Sequence, residues 1–189
     1  MTDAPLFDHL STAMIAPAVG TSPDVIARAV RAHTVATVED LQSPCDQDLE
    51  ATLRIVPLIA VGAARGAADI GIPFGTVVSA VMKGAITGTI EIEGDPIQAG
   101  RETAEALIRE ADRLDGDIDL TVVGVVSGAA ETEGNRRTGL TEAVIRALLE
   151  EAARISPEAE ETVVQTLRHT DYLPADPIAR VLADRTKAP

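Results

Sequence analysis

The spacing of its glycines constrains this chain more than any other feature. Gly62-x-x-x-Gly66 is followed by Asp69 and Gly71, Gly84-x-x-x-Gly88 by Glu91 and Gly94, and Gly124-x-x-x-Gly128 by Glu131 and Gly134. Residues four apart share a helix face, so each pair makes a smooth strip on which another backbone can lie closely. A glycine inside a helix costs roughly 1 kcal/mol relative to alanine, and a cost that recurs at one spacing points to helices in close contact. The expected fold is all-α: a compact multi-helix array built on three Gly-x-x-x-Gly helices with short connections.

The competing reading is an α/β fold with strands near 87–93 and 118–126, because the first stretch alternates polar and apolar residues and the second is rich in β-branched ones. The repeat argues against it. If the three units share one structure, then Gly62-Ala-Ala-Arg-Gly-Ala-Ala-Asp69, with its alanines and no β-branched residue, makes that structure a helix.

The 189 residues suffice for one domain with a real core. Hydrophobic residues make up 46% of the chain but aromatics only 2%, namely Phe7, Phe74 and Tyr172. Alanine, valine, isoleucine and leucine must therefore fill the interior, which favours closely spaced helices and removes the stacking platforms of single-strand nucleic-acid binders. The net charge of −14 repels phosphate backbones and anionic membranes, so nucleic acid is not an expected partner. Cys45 is alone, which excludes an intramolecular disulfide, and the first residues carry Asp3 and Asp8 without a basic, then apolar, leader; a cytoplasmic protein is expected. Residues 72–92 approach bilayer-spanning length with only Lys83 and Glu91 charged. Pro73, Gly75, Thr76, Ser79, Thr87 and Thr89 dilute their apolarity, and no basic cluster flanks them, so a buried helix is expected rather than a membrane span.

Residues 1–21 read as a flexible arm with a short helix around 6–15, residues 22–185 as a single helical domain and 186–189 as a frayed tail. Ser22-Pro23 caps a first helix expected to run to about Thr34, with residues 35–41 ambiguous. Pro57 either kinks a helix or marks its true start. Further starts are expected at Pro73, Asp95-Pro96, Asp117, Thr138, Ser156-Pro157 and Asp176, each from a capping side chain or a first-turn proline.

Three carboxylates, Asp69, Glu91 and Glu131, each stand three residues past the second glycine of a unit. Helices packed side by side in the same sense would bring them to one level, where their oxygens could hold a divalent cation. The alternative is three solvated residues near helix C-termini, where acids face the unfavourable end of the dipole. Asp115-Gly116-Asp117-Ile118-Asp119 imitates the start of a calcium loop but has Leu120 and Val126 where that loop needs Gly and Glu, so it reads as a capped helix connection. Cys45 beside Asp46 is a weak nucleophile, and the cluster Arg168, His169, Thr170, Asp171 and Tyr172 reads as a helix end. Phosphate-cradling, dinucleotide, nucleophile-elbow and zinc-protease motifs are absent.

The expected function is a non-enzymatic, self-associating helical scaffold or adaptor, its partner itself or another protein, with no cofactor beyond a divalent cation. Two alternatives remain at this stage: a carrier of an apolar molecule between glycine-lined helices, and a metal-dependent enzyme using Asp69, Glu91 and Glu131.

Overall fold

A computed structural model describes residues 22–42, 53–69, 71–134, 136 and 138–186. Among them are eight α-helices and no strand: α1 Pro23–Gln42, α2 Val56–Asp69, α3 Phe74–Glu91, α4 Pro96–Arg113, α5 Ile118–Glu133, α6 Leu140–Ile155, α7 Pro157–His169 and α8 Ala175–Arg185. The stretches weighed as strands lie largely in α3 and α5. The short helix expected around 6–15 and the thiol of Cys45 lie outside the described residues.

Three helices begin at a capping side chain, as expected, whereas α3 and α8 begin after Pro73 and Pro174 with no side-chain cap. Asp95 accepts from the backbone N–H groups of Ile97 (2.8 Å) and Gln98 (3.3 Å), Asp117 from Leu120 (2.9 Å), and Ser156 from Ala159 (3.0 Å). Pro57 falls in the first turn of α2, where its missing N–H is harmless, so it marks a true start. α6 departs from expectation: it begins at Leu140 after Gly139 in the left-handed conformation, and Thr138 is not its N-cap. α1 continues to Gln42, beyond Thr34, and the extension places Val38 in full burial.

The helices form two layers. Gly84 and Gly88 of α3 meet Ala27, Val30, Arg31 and Thr34 of α1, with numbers rising together, and Gly124 and Gly128 of α5 meet Val78, Ser79 and Met82 of α3 in the same sense. Thus α1, α3 and α5 lie side by side and parallel. In the second layer Leu53 approaches Gly94 while Arg65 bonds Glu110; Gly100 meets Leu140 and Val144 while Arg109 bonds Glu151; and Glu142 and Arg146 pair with Arg180 and Asp184. Thus α2, α4, α6 and α8 are also parallel to one another. Short connections alternate between the layers, so successive pairs are αα-hairpins stacked as in a solenoid. α7 packs on α5 and α6.

The core lies between the layers and is built from Val, Ile, Leu, Ala and Met82, with Met82, Ile86, Leu107, Ile108, Ile145 and Leu148 the largest fully buried side chains. α3 is the central helix, with α1, α2, α4 and α5 all packed on it. This explains why residues 72–92 are apolar nearly all round: neighbours within the same chain cover them. No described helix is long and apolar enough to cross a membrane.

Candidate functional site

The glycine strips are filled by helices. A Cβ placed on Gly84 would stand 2.5 Å from the Ala27 carbonyl oxygen, and one on Gly88 2.8 Å from Thr34 Cβ. One on Gly124 would stand 2.9 Å from Val78 Cβ, and one on Gly128 2.6 Å from the Ser79 carbonyl oxygen. These two strips leave no room for an apolar ligand. The first unit differs: Gly62 and Gly66 are buried in α2, in the other layer, and a Cβ on Gly62 would meet no atom within 4 Å. Identical spacing therefore serves one structure in two copies and another in the third.

The three repeat carboxylates part in the same way. Glu91 forms an ion pair with Arg31 of α1, and Glu131 pairs with Lys83 of α3 at 3.2 Å. Each reaches back to the helix on which its glycines lie. The hydrogen bond from Arg31, ahead of burial in the other direction, lowers the Glu91 pKa. Asp69 ends α2 in the second layer, exposed, so the three do not share a level. Among the described residues no three His, Cys, Asp or Glu side chains come together in a way that could hold a metal ion. Of the other candidates, Asp117 is a helix cap, as expected. His169 is the last residue of α7, its Nδ1 2.9 Å from the Gln165 carbonyl oxygen.

The second layer carries charge chemistry that the glycine repeat did not reveal. Glu110 of α4, with a side chain only 6% exposed, receives Arg65 from α2 and Arg113 from its own helix, the latter at 2.7 and 3.0 Å. Glu151 of α6, 5% exposed, receives Arg109 from α4 at 2.7 Å and Arg154 from its own helix at 2.8 Å. Burial pushes each carboxyl up, but the guanidinium hydrogen bonds and charges outweigh it and hold both below the ordinary carboxylate value. The signal was present in the sequence: Leu107-Ile-Arg-Glu-Ala-Asp-Arg113 and Leu148-Leu-Glu-Glu-Ala-Ala-Arg154 repeat one pattern 41 residues apart, beside the 40-residue offset of Gly84, Gly88 and Glu91 from Gly124, Gly128 and Glu131. These offsets place corresponding residues on α3 and α5 and on α4 and α6.

Two of the clefts lined by carboxylates contain a carboxyl group with a shifted pKa. One, of about 630 Å³, runs between the α5–α6 connection and α8, lined by Glu133, Thr141, Glu142, Asp176 and Arg180 among others. There Glu133 closes the open end of α6, accepting from the Gly139 N–H (2.7 Å), the Thr141 N–H (2.9 Å) and the Thr141 and Thr138 hydroxyls (2.5 and 3.2 Å). Burial raises the pKa of its carboxyl, and these four donors more than reverse the effect. The other, of about 510 Å³, lies along α4 at Asp95, Gln98, Arg101, Glu102 and Glu105. Burial, then the nearby Glu151 carboxylate, pushes Glu105 above the usual carboxylate range.

The helices α3 and α5 differ in charge content from α4 and α6. α3 and α5 together hold five charged residues in 34, Lys83, Glu91, Asp119, Glu131 and Glu133. α4 and α6 hold twelve in 34. The outward stripe of α3 is Thr76, Ser79, Lys83, Thr87 and Ile90, and that of α5 is Leu120, Val123, Ser127, Ala130 and Glu131. Comparison with protein-family models, curated proteins and solved structures finds no match to the chain.

Proposed function

We propose that this protein is a non-enzymatic helical scaffold or adaptor that works by self-association in the cytoplasm. The observation that carries the reading is the stack itself: a hairpin unit repeated in register, its glycines committed to helix contact and its most buried carboxylates committed to arginine pairs. Stacks of this kind present extended surfaces to a partner rather than a single pocket. The charged groups of the described residues support the same reading, because Glu110, Glu133 and Glu151 have their acceptor positions occupied by donors of the fold itself.

Native mass spectrometry of the purified protein, before and after a chelator, tests this. A defined oligomer with no additional mass is the expected result. A monomer that carries metal or organic mass overturns the reading and turns attention to the clefts at Glu105 and Glu133.

A further inference from the structure

We infer that α8 is a salt-sensitive latch, held to the end of the second layer by exposed ion pairs and able to leave as a unit while the rest of the stack stays folded. This stands apart from the scaffold reading. α8 brings little apolar area to its site: of its 11 residues Ile178 and Val181 are buried, whereas α6 buries nine of its 16. Nor is it long enough to persist alone. Isolated helices shorter than roughly 12–15 residues are marginal in water, and α8 begins after Pro174 with no side-chain cap. It therefore stays helical only while docked.

Charge supplies the rest of the docking. Arg180 pairs with Glu142 of α6 at 2.6 Å, Glu142 lies 3.9 Å from Arg146, and Arg146 pairs with Asp184 at 2.9 Å, so four charges form one chain across the contact between α6 and α8. Arg185 adds a pair with Glu160 of α7. The other joints of the layer are built differently. Those between α2, α4 and α6 end on Glu110 and Glu151, 6% and 5% exposed, whereas Arg180 and Asp184 are 62% and 60% exposed. Dissolved ions screen the exposed network and reach the buried carboxylates far less. One exposed pair contributes little, but a network added to two buried side chains is enough to tip the docking balance. The charges of α8 itself, Asp176, Arg180, Asp184 and Arg185, sum to zero, so screening of the overall −14 does not offset the loss. α8 also walls two cavities: the cleft of about 630 Å³, through Asp176, Pro177 and Arg180, and a groove of about 360 Å³ where Val181 and Asp184 meet Leu149 and Ala153 of α6. Its departure opens both and uncovers Leu149, which is buried in the docked state.

Hydrogen exchange of the full chain at about 0.02 and 0.5 M NaCl tests the latch. Amides of α8, referenced to those of α4 in the same sample, should exchange at least about fivefold faster at the higher salt, while α6 keeps its rate relative to α4. Arg180→Gln/Asp184→Asn/Arg185→Gln should give fast α8 exchange at both concentrations and leave α4 unchanged. Arg101→Gln, which removes an exposed pair between α4 and α6, should leave α8 at the wild-type rates. The latch is overturned by α8 amides that exchange at one relative rate at both concentrations, that keep their salt response after the triple substitution, or that open only together with α4 and α6.

Discussion

The glycines of the stack make a prediction that can be set out in numbers. Gly84→Ala brings a methyl group to 2.5 Å from the Ala27 carbonyl oxygen and 2.7 Å from Val30 Cβ, and Gly128→Ala brings one to 2.6 Å from the Ser79 carbonyl oxygen. Those oxygens belong to helix backbone and cannot swing aside, so neighbouring helices must part by about 0.8 Å to restore an ordinary contact. Overpacking of this sort costs about 1–3 kcal/mol, offset by roughly 1 kcal/mol of gained helix propensity. The net expectation for Gly84→Ala is a loss of up to about 2 kcal/mol. At Gly62 the same methyl meets nothing within 4 Å, leaving only the propensity gain, so Gly62→Ala should stabilise by about 0.5–1 kcal/mol. Gly100→Ala falls between them, because its nearest neighbour at 2.8 Å is Leu140 Cδ1, the end of a side chain that can rotate. For a chain of this length each kcal/mol moves Tm by about 2–4 °C, so Gly62→Ala should melt above Gly84→Ala by roughly 1–12 °C in scanning calorimetry. If Gly84→Ala and Gly128→Ala melt at or above the temperature of Gly62→Ala, the glycines are not contact residues and the parallel stack is packed more loosely than argued.

Glu133→Gln removes the charge that holds the first turn of α6 and should cost about 1–2 kcal/mol, read as a lower urea midpoint with unchanged slope. Acidification should act in the same direction: Glu110, Glu133 and Glu151 have folded-state pKa values below that of an ordinary glutamate, so the stability they contribute is present above the ordinary value and is lost as pH falls through the folded values. Urea midpoints measured from pH 7 to pH 3 should fall on the acid side, and fall less steeply in Glu110→Gln. A midpoint independent of pH would refute the assignment. Asp115→Gly should raise Tm, because Asp115 sits at φ 51°, where glycine relieves about 0.5–1 kcal/mol of strain. Arg109→Ala removes one of two donors to Glu151 and should destabilise by about 1 kcal/mol or more, whereas Arg101→Ala, whose partner Glu150 is exposed and 3.7 Å away, should change the urea midpoint little.

What the sequence made legible was local. Asp95, Asp117 and Ser156 cap helices by bonding two or three residues ahead, so their signal is complete within a few positions. Residues 35–41 are rich in valine and looked ambiguous by propensity, but the burial of Val38 decides in favour of helix, and burial depends on the rest of the fold. The β-branched run 118–126 misleads for the same reason: Thr121, Val122, Val125 and Val126 are buried on a helix. Glycine spacing identified contact faces but not the neighbour on each. Asp69 was grouped with Glu91 and Glu131 although α2 belongs to the other layer. The pairs of Glu110 with Arg65 and of Glu151 with Arg109 do not show in the sequence, because each joins residues more than 40 apart and only the parallel order of α2, α4 and α6 brings them together.

Glu133 also has a consequence for how the molecule opens. It is the last residue of α5, and it holds the N–H groups that begin α6, so the end of one helix and the start of the next are held by a single carboxylate. Fraying at that junction cannot proceed one helix at a time: releasing the final turn of α5 withdraws the acceptor from α6, and unwinding α6 leaves Glu133 partly buried without its donors. Amide protons on the two sides of the junction are thereby tied to one opening event at the crest of the second hairpin.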